Sequence, residues 1–330
     1  MGCCPLRSWR LGYGISILAL VAMSACGRTP LSSAAGASTP ERPDSGLRDA
    51  ESAGKGGGAR DGAAMAEGGS AGTETSGFTQ ISAGTEYACG LRVDGSVTCW
   101  GDNSYGQAVP PVETFTQISA GWYHTCGLQP DGSATCWGDN TYGQSISPAG
   151  AFIQISAGGT HTCGLRAGGS AACRGEAYAS ATAPSTGAFT QIAAGGTHTC
   201  GLSVDGSVSC WGYNGHGQAT PPPGAFTEVS AGAFHTCGLR ADGTASCWGD
   251  STYGQATPPA GTFTQISAGW GHTCALWADG TAACWGRNEY GQATPPADAF
   301  TQISAGAVQT CGLRADGSAT CWGDLAGPHL

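Results

Sequence analysis

Two residue types recur at fixed intervals that could support chemistry. Fourteen of the 17 cysteines form seven pairs with nine residues between the partners: Cys89 and Cys99, Cys126 and Cys136, Cys163 and Cys173, Cys200 and Cys210, Cys237 and Cys247, Cys274 and Cys284, Cys311 and Cys321. An even set at constant spacing predicts disulfides in an oxidising compartment, and nine intervening residues is not a zinc-knuckle spacing. His124, His161, His198, His235 and His272 each stand two positions before the first cysteine of a pair. A ring of imidazoles would suit a transition metal. Strand alternation, however, puts His124, Cys126 and Leu128 on one face, which must be buried. Tyr87 and Gln309 fill the matching places in the first and last pairs, where a metal ring would tolerate neither. Packed, hydrogen-bonded histidines are therefore expected, with no metal and no cofactor.

The Asp-Gly pairs and the Asp that follows Trp-Gly are acidic enough to raise calcium. No loop places ligands at alternating positions ending in a bidentate Glu, and turn chemistry accounts for these aspartates. The sequence contains no nucleophile–base–acid set and no phosphate-binding loop, so no catalytic residue is assigned and the chain is read as a non-enzyme.

The elements that carry these residues are repeats. Phe-Thr-Gln-Ile-Ser-Ala-Gly begins at Phe115 and at Phe263, and variants begin at Phe78, Phe152, Phe189, Phe226 and Phe300, each 37 residues after the last. Within the unit Phe115–Ala151, Phe115–Gly121 reads as a first short strand and His124–Gln129 as a second. Pro130-Asp131-Gly132 turns the chain, and Ser133–Gly138 returns. A three-residue loop with Gly last in the left-handed region pairs Gln129 with Ser133, Leu128 with Ala134, Gly127 with Thr135 and Cys126 with Cys136. The cysteine pair then falls at a non-hydrogen-bonded position, where Cα atoms are closest and a bridge can form. Each bridge closes a short loop, worth roughly 2–3 kcal/mol on the chain-entropy model.

The pattern Gly-x-x-His-x-x-x-Leu, then Asp-Gly, then Trp-Gly-x-Asn-x-x-Gly-Gln resembles the regulator of chromosome condensation repeats. The resemblance spans 78–330. It implies an all-β, seven-bladed β-propeller with one repeat per blade and three- to four-stranded blades. The repeat length is similar to that of the short bacterial form, the propeller-type β-lactamase inhibitory protein. The third repeat departs most, with Cys173-Arg174-Gly175-Glu176 and no Gly-Gln element, and an irregular blade is expected there. Closure of the ring is expected from packing of the seventh repeat on the first, aided by residues before Phe78.

The positions that vary most between repeats follow Ser-Ala-Gly and would form a ring on one face of a closed propeller. They include Trp122, Tyr123, Phe234 and Trp270. Large aromatics on a loop are typical binding anchors, and these four form the candidate binding face. The partner is an unknown protein or glycan, and a monomer is expected. Guanine-nucleotide exchange, the activity of the family's namesake, is disfavoured by the signs of export and by the absence of a long inserted loop. A passive envelope spacer and an envelope enzyme compete with the binding module as readings of the same residues.

Composition sets the location. Residues from 78 onward carry six arginines and sixteen aspartates and glutamates within a net charge of −10, which excludes a nucleic-acid surface. Arg7 and Arg10 precede an apolar stretch from about Ile15 to Met23, which ends in Ser24-Ala25-Cys26. This is a secretory signal too short to span a bilayer, and it resembles a bacterial lipoprotein signal in which Cys26 is lipidated. Residues 1–25 are assigned to the signal peptide. Residues 26–77, the lipidated Cys and a Gly/Ala/Ser-rich segment without apolar periodicity, read as a disordered tether of roughly 40 Å, and residues 78–330 as the propeller. Gly27 after the Cys favours the outer membrane or cell surface, with the lipid anchor as the sole membrane contact.

Overall fold

The computed structural model describes residues 77–176, 183–184 and 188–324, and they form seven three-stranded antiparallel sheets in strand order inner–middle–outer. The second blade shows why. Its inner strand is Gln117–Ala120, its middle strand His124–Leu128 and its outer strand Ala134–Gly138. The middle strand is buried at every residue, because its two faces pack on the two neighbouring blades. Gly132 has φ of 84°, the left-handed conformation the turn needs. The Gln129 N–H donates to the Ser133 carbonyl at 2.8 Å, and Leu128–Ala134, Gly127–Thr135 and Cys126–Cys136 are paired. The cysteine Cα atoms are 4.0 Å apart there, and the same bridge recurs in all seven blades, Cys89–Cys99 through Cys311–Cys321. Among the described residues each blade stops at three strands. The third blade's strands are regular, and the segment in which its repeat lacks the Gly-Gln element, within 177–187, lies mostly outside the described residues.

The core lies between blades. Cys126 and Leu128 of the second blade pack with Phe152, Ile155 and Ala157 of the third. The Phe that opens each repeat sits in this seam, and its N–H donates to the turn glycine of the preceding blade, as Phe152 does to Gly132 at 2.8 Å. Side chains complete the joint. The Gln117 amide exchanges two hydrogen bonds with the Ile155 backbone, and the Ser119 hydroxyl accepts the Ala157 N–H. The last and first blades are joined in the same way. Phe78 N–H donates to Gly317 O at 3.0 Å, Ile81 N–H to Gln302 Oε1 at 2.8 Å and Ala83 N–H to Ser304 Oγ at 2.9 Å. Cys311 and Leu313 share a buried cluster with Phe78 and Ile81.

The inner strands end on a ring of glycines: Gly84, Gly121, Gly158, Gly195, Gly232, Gly269 and Gly306. A Cβ on any of them would run into the glycine carbonyl of the next blade, Gly306 onto Gly84 included. Gly158→Ala should therefore lower stability by more than about 2 kcal/mol in chemical denaturation. Gly168→Ala, at a turn position where a Cβ meets nothing within 4 Å, should change it by less than about 0.5 kcal/mol. Equal midpoints for the two variants would mean that the ring can spread to admit side chains.

Candidate binding face

Two polar layers hold the strands that present this face. The first is the loop after each outer strand. In the second blade Asp139 accepts hydrogen bonds from the Thr141 N–H and hydroxyl, at 3.0 and 2.6 Å, and from the Gln144 amide at 2.7 Å. Gln144 in turn accepts the Tyr142 N–H at 2.8 Å. The same set recurs at Asp102–Gln107 and Asp250–Gln255, so these aspartates are engaged within their own loops. The buried glutamine also serves the next blade through its backbone: the Gln107 carbonyl accepts both the Trp137 Nε1–H and the Thr125 hydroxyl.

The second layer is the histidines, all fully buried as their strand position predicts. Each Nε2 lies 2.7–2.8 Å from a threonine hydroxyl of the next blade, as His124 does from Thr162. The hydroxyls of Thr162, Thr236, Thr273 and Thr310 donate onward to glutamine carbonyls, so Nε2 of the facing histidine must donate and Nδ1 is left as a bare acceptor. No partner for Nδ1 is present among the described residues. Burial holds the imidazoles neutral, pushing His124, His198 and His272 down to about 4 and His161 and His235 to about 3. At the closure the first blade has Ala88 where the others have threonine. The seventh has Gln309, whose amide donates to the Gly84 and Tyr87 carbonyls at 3.0 and 2.9 Å. Tyr87 donates its hydroxyl to His124 O at 2.6 Å. Among the described residues no three His, Cys, Asp or Glu side chains converge on one point.

Beyond the glycine ring the chain turns onto the face. The first variable position of the second to seventh repeats borders a central channel holding a cavity of about 90 Å³, lined by paired alanines and glycines and by Trp122 and Trp270. Backbone N–H groups at these positions form a further ring, for example Trp122 to Gly158 O at 3.2 Å and Ala307 to Gly84 O at 3.1 Å.

Trp122, Tyr123, Phe234 and Trp270 are all half-buried, and they fall into two groups. The Trp122 indole lies against Gly159 and Gly196, where any Cβ would meet its ring. Tyr123 packs on Tyr105, with centroids 5.2 Å apart. Across the face Phe234 meets Trp270 edge-on at 5.9 Å, and His216 adds a ring 5.4 Å from Phe234. Arg287 spans Trp270, Tyr253 and Tyr290 at 5.2–5.7 Å and is paired with Glu289. The Tyr123 side is acidic. Burial and then the charges of Asp102 and Asp324 raise the Glu86 carboxyl above its ordinary range.

Tyr105, His216, Tyr253, Tyr290 and Arg287 also belong to this face, outside the variable pair that follows Ser-Ala-Gly; His216 replaces the tyrosine and Arg287 the aspartate of other repeats. The tyrosines sit in the constant part of the repeat. For Tyr105 and Tyr253 the signal in the sequence is a large side chain inside a loop whose Asp and Gln bond each other. Cys26 lies outside the described residues.

The family model for the regulator of chromosome condensation (RCC1) repeat matches residues 78–107, 115–144, 189–218, 226–255 and 263–292. Among solved structures, the entire ectodomain of the Physcomitrella patens receptor kinase CR4 is similar at 31% identity over 74% of this chain and 72% of that one, with a TM-score of 0.65. The CRINKLY WD40 ectodomain of the Arabidopsis thaliana receptor kinase ACR4 matches at 28% identity over 75% of this chain and 95% of that one, TM-score 0.64. Prp20p from Saccharomyces cerevisiae shares the fold at 16% identity over 75% and 82% of the chains, TM-score 0.57. No curated protein sequence matches the chain. The seven disulfides and the two receptor ectodomains agree on an oxidising, exported location.

The histidine layer has a measurable consequence. The folded imidazoles titrate at about 3 to 4 and the unfolded ones near 6.5, so the unfolded state binds more protons between these values. Stability from the neutral histidines is complete above the unfolded pKa and falls as pH drops towards 4, by up to about 1.4 kcal/mol per pH unit for each histidine. Denaturation midpoints should hold level from pH 7 to 8 and drop steeply from pH 6 to 4.5. His272→Gln, which copies the residue at 309, should shorten that slope by one proton. Midpoints independent of pH over this range would refute the neutral, buried assignment.

Proposed function

Because the chain belongs to the regulator of chromosome condensation repeat family of propellers, we propose that it is an exported, membrane-tethered binding module. It takes a protein or glycan partner on the face that carries Trp122, Tyr123, Phe234 and Trp270. One observation carries this reading. The glycine ring and the histidine–threonine pairs are each bound by contacts that admit little change. The positions just after each glycine differ from blade to blade, and in the second, fifth and sixth blades they hold large aromatic rings that are partly exposed to solvent. Rigid aromatic surface offered at low entropic cost is what partner recognition uses.

The similar solved structures include receptor ectodomains, and yeast Prp20p has been characterised for its binding to Gsp1p and histones. Those partners belong to those proteins; they support recognition through a propeller surface as the mode of action. Residues 1–25 act in this reading as a lipoprotein signal, Cys26 as the lipidated residue and 26–77 as the tether that holds the 78–330 propeller off the membrane.

Two experiments test this. The exported protein and a variant carrying Trp122→Ala, Tyr123→Ala, Phe234→Ala and Trp270→Ala serve as matched baits against envelope and secreted extracts, with folding of both checked by circular dichroism. A partner held by the first and lost at least tenfold by the second supports the face. Equal capture moves the site elsewhere, and capture of nothing by either favours a passive spacer. For the anchor, Cys26→Ser should shift the protein from the membrane to the soluble fraction; an unchanged membrane fraction would remove the lipid from the account.

A further inference from the structure

Each repeat places a polar side chain at the third position of its Phe-Thr-Gln-Ile segment, and in six blades it is glutamine. Every one of these glutamines accepts a backbone N–H of the next blade, and in the first three blades the amide docks at two points. Gln80 Oε1 accepts the Ile118 N–H at 2.8 Å while its Nε2 donates to the Ile118 carbonyl at 2.9 Å. Gln154 repeats this on Ile192 at 2.8 and 3.0 Å. The fifth blade differs in having Glu228. Its Oε1 accepts the Ile266 N–H at 3.3 Å, the longest of the seven equivalent contacts. An ionised carboxylate has no hydrogen to offer the Ile266 carbonyl, so two sets of lone pairs would face each other where the joints made by Gln80, Gln117 and Gln154 have an N–H···O bond.

We propose that the joint between the fifth and sixth blades is a proton-operated latch, fully closed only when Glu228 carries a proton on the oxygen that stands where the other blades place an amide nitrogen. Protonated, the side chain is a geometric copy of glutamine and makes both contacts. Ionised, it can accept only the Ile266 N–H, and repulsion between its second oxygen and the Ile266 carbonyl forces the joint to open, so that the Ile266 amide reaches solvent more often.

The surroundings favour the neutral form. Burial raises the Glu228 carboxyl to about 7, the Ile266 N–H pulls in the opposite direction, and no charged neighbour contributes. From the fourth blade Gln191 reaches Val229, on its own sheet Leu239 pairs with Glu228, and the sixth blade opposes it with Gln265 and Ile266. The titratable groups on the adjoining middle strands are His235 and His272, which are neutral above about 4. The folded carboxyl binds its proton more tightly than the unfolded one at 4.5. This contribution is therefore present at low pH and lost as pH rises through 7, opposite in sign to that of the histidines.

Amide hydrogen exchange on the whole chain reads the joint directly, with the Ile118 amide in the same sample as the internal reference. The exchange of Ile266 relative to Ile118 should rise by up to about tenfold per pH unit between pH 5 and 7 and level off above that. Glu228→Gln, which installs the residue of the other six blades, should make the ratio flat. The infrared difference spectrum should show a protonated-carboxyl band that titrates near neutral pH and is missing from the variant. A flat ratio in the unaltered protein, the same slope in both proteins, or absence of the band would overturn the latch.

Discussion

The controlling constraint is the distance at which seven strand ends can approach one axis. The ring closes with each glycine backbone against the carbonyl of the next, leaving no room for a single Cβ. Alanine and glycine therefore line the channel, and the centre of the protein contributes little apolar mass. The burial that stabilises the fold is displaced outward into the seams, where the Phe and Ile of one blade meet the Cys and Leu of its neighbour. In blades this thin, a covalent bridge between the middle and outer strands supplies what a larger core would otherwise provide.

With so little apolar contact, the joints depend on polar groups that reach across to the neighbouring blade. Glutamine amides and serine hydroxyls of one inner strand act as partners for backbone groups of the next, and His–Thr–Gln relays cross the same gaps deeper in. Buried networks of this kind tolerate substitution only when every partner changes together. The closing seam shows such a concerted change. Ala88 removes the hydroxyl that a histidine at 309 would need, and Gln309 turns instead to two backbone carbonyls. Glu228 is a change without a matching partner, and it sits in the joint across which Phe234 and Trp270 meet.

Much of this is legible in the residues. Pro130-Asp131-Gly132 is enough to set the register of a blade and so to place Cys126 opposite Cys136. The burial of His124 follows from its sharing a face with Cys126 and Leu128. The variability of their positions locates Trp122 and Trp270 at the channel mouth. Less visible are effects that depend on residues one or two repeats away. That Trp122 lies flat requires Gly159 and Gly196 on the two following blades, and pattern within one repeat cannot report it. The work of Gln107 is done by its backbone carbonyl, which no residue identity announces. The tyrosines of the outer arc are hidden by their constancy.

The bridges have a consequence for how the chain is made. Each first cysteine finds its partner ten positions further along, across one hairpin of its own blade. A chain emerging from a pore can thus oxidise each blade before the next appears, with the correct thiol always the nearest one available. Seven bonds that could scramble in a very large number of ways are reduced to seven independent local choices. What remains for the end of synthesis is a single noncovalent act, the docking of Gln302, Ser304 and Gln309 onto a first blade that has been waiting, already cross-linked, since the start.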